Sequence, residues 1–224
     1  MSISIDNFVK AIYKQEQILG ADSKPGSLAK ILNVTNAATT DMARKLSEKK
    51  LINYTKYQQL TLTPKGKKLA LNVIRKHRLW ETFLHKTLNL TLHEIHQEAE
   101  LLEHLTSDFL ADKISSYLGN PEFDPHGDPI PDNNGDIEFG NENIILANAS
   151  PDAFYKISRL FSSDKDFFEF CSSNDIKIGS IIKVERQYIN KKMTEIKVDN
   201  KKILLNREFT NFIYVKKFKN NNNK

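Results

Sequence analysis

Residues 27–63 confine the fold of this chain more tightly than any other stretch. "SLAKILNV" spaces its apolar residues as a short amphipathic helix, and a few residues later "TNAATTDMARKLSEKK" opens a second helix at a Thr/Asn cap. Two helices joined so closely read as a helix-turn-helix. "LINYTKYQQLTLT" follows with alternating apolar residues on both sides of a polar tip, the pattern of a two-stranded hairpin. Helix-turn-helix plus hairpin is a winged helix. Upstream, "IDNFVKAIYKQEQIL" places Ile5, Phe8, Val9 and Ile12 at helical spacing, and "GADSKPGS" stops that helix near Leu19.

Beyond the wing, Thr63 and Pro64 are an N-cap and a first-turn proline, so "PKGKKLALNVIRKHRLWETFLHKTL" is expected to form a long helix. Gly66 falls in its first turn, where a glycine does least harm. A start signal near Thr91 predicts one further helix through "LHEIHQEAELLEHLTSDFLADKISSYLG", closed by Gly119 and Pro121, with Leu101, Leu102, Leu105, Phe109 and Ile114 as its buried stripe. Residues 120–150 turn to Pro, Gly, Asp and Asn and read as a loop. From Ile178 onward, β-branched runs broken by Asn and Lys turns predict a small antiparallel barrel, and "KNNNNK" a disordered tail.

With 224 residues, 39% of them hydrophobic, the chain has enough apolar material to fold without staples. Cys171 is the single cysteine, which excludes an internal disulfide framework and fits a reducing compartment. The N-terminus has no charged and then apolar leader pattern, and no apolar run reaches the roughly 18–20 residues of a membrane span. A soluble, cytoplasmic protein without a membrane partner is expected. Charge is unevenly spread: residues 1–80 carry +10, residues 81–170 carry −13 and residues 171–224 carry +8. A basic first third suggests a polyanion and an acidic middle suggests cations, although the blocks would also neutralise one another.

The acidic middle holds the candidate chemistry. On a helix, Glu100, Glu103 and His104 share a face, and His96 borders the same patch one turn earlier. His77 and Glu81, four apart on the preceding helix, form a second pair. Two such faces would hold one or two divalent cations, although each also suits a solvated surface. Enzymatic readings fare worse: "HEIH" lacks the histidine spacing of a zinc protease, and Glu100, Glu103 and His104 do not have the Glu-x-x-His spacing of di-metal oxidases. No glycine-rich phosphate loop is present, and nothing nominates a small-molecule substrate.

In order along the chain, "VTNAATTDMARKL", "RKHRLWETFL", "HQEAELLEHLTSD" and "PHGDPIP" resemble the iron- and manganese-dependent repressor family of the diphtheria toxin repressor and manganese transport regulator type. The resemblance spans essentially the whole chain. It implies a mainly α protein with a small β part: a winged-helix DNA-binding domain (1–63), a helical metal-binding and dimerisation domain (64–140), an SH3-like domain of the ferrous-transport accessory type (150–218), and a tail at 219–224. It implies no enzyme, but a repressor that binds a double-stranded DNA operator as a homodimer when Mn2+ or Fe2+, one or two ions per subunit, is replete.

Carried over by residue, the resemblance implies one metal set of Asn7, Glu100, Glu103 and His104, with Asp6 as the substitute for a weakly ligating Asn7. It implies a second set of His77, Glu81 and His96, with a carboxylate such as Asp164 or Asp166, and with Asp124 and His126 where relatives carry cysteine and histidine. Oxygen-rich sets suit Mn2+ over softer ions. Thr35, Asn36, Ala37, Thr39 and Thr40 open the reader helix and are expected at base edges, with Arg44 and Lys56 on phosphates. The competing readings are a metal-independent winged-helix regulator with an acidic surface patch and, less favoured, a di-metal carboxylate enzyme.

Overall fold

Helix α1 (Ile5–Glu16) begins where the Ser4 hydroxyl accepts the Asn7 N–H, and its apolar face of Phe8, Val9, Ile12 and Tyr13 is buried. The computed structural model describes residues 4–17, 21–56, 58–137, 143–162, 164–188, 190 and 192–218. Within these limits α1 stops at Glu16, so the expected end near Leu19 falls outside the described residues, as does the expected disordered tail at 219–224.

Helix α2 (Pro25–Ile31) carries its proline in the first turn, and α3 (Asn36–Glu48) is capped by Thr35, whose hydroxyl accepts from the Ala38 N–H. Strands β1 (Ile52–Asn53) and β2 (Thr61–Leu62) pair antiparallel with Ile52 opposite Leu62. Leu28, Ala43, Leu46, Ile52 and Leu60 join the α1 face and Ala70, Leu71 and Ile74 of α4 (Pro64–Leu88) in one core. Each large side chain buried there contributes roughly 1.5–3 kcal/mol. Gly66 is more than tolerated in the first turn of α4: a Cβ at that position would lie 1.9 Å from the Leu51 carbonyl oxygen.

The single helix expected from Leu92 to Gly119 is broken. Helix α5 (Leu92–Leu102) runs into a 3-10 turn at Glu103–Leu105, Thr106 is extended, and α6 (Asp108–Tyr117) restarts. Thr106 donates its hydroxyl to the Leu102 carbonyl and Ser107 accepts the Leu110 N–H, so two hydroxyls take over backbone partners at the break. The rotation turns Glu103 inward and overturns the expected stripe: Leu101, Leu105 and Phe109 are 67%, 89% and 71% exposed, whereas Ile114 is buried. Ile95, Ala99 and Ala111 are buried instead.

The C-terminal part forms a six-stranded antiparallel sheet of SH3-like form in the order β3-β8-β4-β5-β6-β7: β3 (Ile144–Ile145), β4 (Ala153–Leu160), β5 (Ile181–Tyr188), β6 (Met193–Val198), β7 (Lys201–Asn206) and β8 (Ile213–Lys217). Alternation buries Ile182, Val184, Ile196, Val198, Ile203 and Leu205 on one face, and α7 (Lys165–Ser173) adds Phe167 and Phe168 to the same core. Short helix α8 (Arg207–Phe212) links β7 to β8.

Packing divides the chain into two units that alternate along the sequence. The first comprises Met1–Leu79, Glu100–Tyr117 and Ile130–Ile137, and the second Trp80–Ala99, Leu118–Pro129 and Glu138–Lys224. Among the described residues no helix is long and apolar enough to cross a membrane.

Candidate metal centres and reader helix

In the first unit, one donor of each of His77, Glu100 and Glu103 lies within 4.8 Å of the other two. The inward turn at Glu103 brings this about: its carboxylate is fully buried, with Oε2 2.7 Å from His77 Nδ1. Helix α1 supplies the opposite wall. Lys10, buried there, places Nζ 2.8 Å from Glu100 Oε1 and 2.5 Å from Glu103 Oε1. Burial works to raise the Glu100 carboxyl, but the Lys10 ammonium and then His77 outweigh it and hold the group at about 2.

His104 faces the same region, with Nε2 3.5 Å from Glu103 Oε1 and Nδ1 3.2 Å from Asp6 Oδ2. Asp6, the alternative to Asn7 in the sequence, is therefore the α1 residue that meets His104. Asn7 lies on the Lys10 side of α1, three residues earlier, and its Oδ1 is buried without a hydrogen-bond partner. A buried, unsatisfied acceptor costs roughly 1–3 kcal/mol, which a ligated cation would remove. Sequence reasoning missed Lys10. Its position on the buried face of α1, among apolar neighbours, was the available signal.

The second unit contains the other set: donors of Glu81, Asp124 and His126 lie within 4.8 Å of one another, and all three residues are buried. Glu81 Oε1 is 3.0 Å from His96 Nδ1 and Oε2 is 3.7 Å from His126 Nδ1. His77 sits one turn before Glu81 on α4, on the same helix face.

The "FDPHGDP" loop forms a built turn. Asp124 Oδ1 accepts the N–H groups of His126 and Asp128, both at 2.9 Å, and Phe123 bridges to Pro129. The turn rests on β4: the Leu160 N–H donates to the His126 carbonyl, and Arg159 Nη2 meets Asp128 Oδ1 at 2.7 Å. Gly127 adopts φ +83° so close to β4 that a Cβ would lie 2.1 Å from the Ser158 oxygen.

His126 Nε2 lies 3.1 Å from the Leu92 carbonyl, which can only accept, so Nε2 carries the proton and Nδ1 faces Glu81. Burial works against a charged ring here, yet Glu81, Asp124 and Asp128 raise His126 from its ordinary 6.5 to about 9. Carboxylates that favour a proton at this point also favour a cation. Asp164 caps α7 by accepting the Phe167 N–H, and its helix places Phe168 with its ring 5.4 Å from that of His126.

On the reader helix, Thr35, Asn36, Ala37 and Arg44 are exposed and Thr40 is half-buried with its hydroxyl on the Asn36 carbonyl. Thr39 departs from expectation. It is fully buried, with its hydroxyl donating to the Thr35 carbonyl, because the helix turns this position onto the core beside Ala43 and Leu46. Lys56 is exposed in the wing.

A winged helix with acid and imidazole clusters on the following helices defines a metal-responsive class of DNA-binding regulator. The model of the iron dependent repressor, N-terminal DNA binding domain, matches residues 1–60, and that of the iron dependent repressor, metal binding and dimerisation domain, matches residues 63–132. The chain belongs to the iron-dependent repressor family. It is 25% identical to a diphtheria toxin repressor of Corynebacterium efficiens over 79% of this chain and 80% of that protein. It is 34% identical to an uncharacterized HTH-type transcriptional regulator of Methanocaldococcus jannaschii over 53% of this chain and 94% of that protein. A solved manganese-dependent transcriptional repressor in complex with manganese superposes with TM-score 0.89 at 28% identity, covering 96% of this chain and all of that one.

Proposed function

We propose that this protein is a metal-activated transcriptional repressor of the cytoplasm, working as a homodimer on double-stranded operator DNA and responding to Mn2+ or Fe2+. The observation that carries the reading is the buried set of Glu81, Asp124 and His126 with His96 on Glu81 Oε1, inside the stretch matched by the metal-binding model. A hard divalent ion suits such a set of carboxylate oxygens and imidazole nitrogens. Asn7, Glu100, Glu103 and His104, beside His77, form the other set.

Domain roles follow the sequence: residues 1–63 bind DNA, 64–140 hold metal and dimerise, and 150–218 form the SH3-like domain. Asn36, Ala37 and Thr40 face base edges, Thr35 caps their helix, and Arg44 and Lys56 meet phosphates. Helix α1 and the Glu103 turn share one unit, so the groups linking Asp6 and Lys10 to His104, Glu100 and Glu103 hold the reader helix against the helical region. In a two-fold dimer such a link sets the separation of two reader helices, which must match about one DNA turn, roughly 34 Å, or a multiple of it.

Fluorescence anisotropy on DNA fragments from beside metal-uptake genes tests the reading. Binding is expected with Mn2+ or Fe2+ and lost with a chelator; equal affinity in both conditions overturns it.

A further inference from the structure

In the first unit Lys10 lies against both carboxylates of the candidate set, Glu100 and Glu103. Its Nζ holds Oε1 of Glu100 and Oε1 of Glu103, while His77 takes Oε2 of Glu103, so both oxygens of the deepest carboxylate are already committed. An ammonium has three donors and no lone pair to offer an ion. A divalent ion and the Lys10 charge cannot share these oxygens, because at such separations in a buried site their repulsion is severe. The lysine stem has four flexible carbons, so the head group can leave.

We infer that Lys10 is a built-in competitor of the divalent ion at the Glu100 and Glu103 carboxylates, so that this set loads only as Lys10 swings out. Lys10 thus determines the metal level at which this set loads, and in its resting position it stands in for the ion by linking α1 to the Glu103 turn. The competition rests on the reading of Glu100 and Glu103 as metal ligands.

Calorimetric titration of Mn2+ into the full-length protein, without DNA, reads the loading. The wild type is expected to give two steps. Lys10→Met should tighten one of them by about tenfold or more and leave the other in place, whereas Lys10→Arg should keep the wild-type pattern. Steps that are unchanged or weakened in Lys10→Met overturn the inference. A single step in every protein, with the Lys10→Met gain intact, would instead sink the metal-site reading of the Glu81 set and leave the competition standing.

Should Lys10→Met fail to fold, wild-type crystals soaked in graded Mn2+ decide by anomalous scattering. A peak at Glu100 and Glu103 with Lys10 displaced supports the inference. An ion there with Lys10 still on both carboxylates overturns it.

Discussion

Arg159 of β4 meets Asp128 at 2.7 Å, and this pair pins the turn carrying Asp124 and His126 onto the sheet. The guanidinium is flanked by the Phe161 ring at 4.3 Å and the Tyr214 ring at 5.1 Å, so its direction is set by packing as well as charge. Its ion-pair partner, Asp128, is not one of the candidate ligands. Arg159 orients the loop that supplies two of them.

Replacing Arg159 by Ala should therefore weaken Mn2+ binding at the Glu81 set by about 10–100-fold while the fold persists, with partial rescue by Lys. Calorimetry measures the affinity and far-ultraviolet circular dichroism the fold. Unchanged affinity in a folded Arg159→Ala protein removes Arg159 from the site's support.

Gly66 lets the first turn of α4 lie on the Leu51 carbonyl. The Gly66→Ala variant should lose about 1–3 kcal/mol despite alanine's better helix propensity, because the new methyl has only backbone to push against. Thermal melting checks the sign. A more stable variant would mean that the close approach relaxes freely.

Leu101, Leu105, Phe109 and Tyr117 leave an apolar strip exposed in a region matched by a dimerisation model. Exposed strips of this kind mark association surfaces. Leu105→Asp is expected to weaken the dimer by about 30-fold or more in sedimentation equilibrium, without loss of helicity. A dimer of wild-type strength would place the interface elsewhere.

Burial on the core face of α7 pushes the Cys171 thiol up from 9.0 to about 12. Because the folded state favours the neutral thiol, its contribution to stability is complete below pH 9 and is lost as pH rises towards 12. A disulfide reagent at neutral pH should therefore modify Cys171 only in denaturant. Rapid reaction in buffer would show that the α7 core opens readily.

Elements with local causes were legible in the chain. Thr35 caps α3, Pro64 opens α4 and runs it to Leu88, and the strand runs after Ile178 supply β5 to β8 of the antiparallel sheet, since caps, proline geometry and hydrophobic period act within a few residues. Helical spacing also grouped Glu100, Glu103 and His104 as candidates, although the 3-10 turn at Glu103–Leu105, and not a continuous α-helical face, sets their arrangement.

The tertiary structure alone decided how those residues are used. Glu103 turns inward and breaks the helix because a partner 93 positions away, Lys10, and His77 on α4 meet it there. The same break turns Leu101, Leu105 and Phe109 outward, while the close approach of Leu51 makes Gly66 necessary and core packing withdraws Thr39 from the reader surface. Each of these outcomes depends on contacts between segments remote in sequence, where burial and charge outweigh the preferences of the local chain.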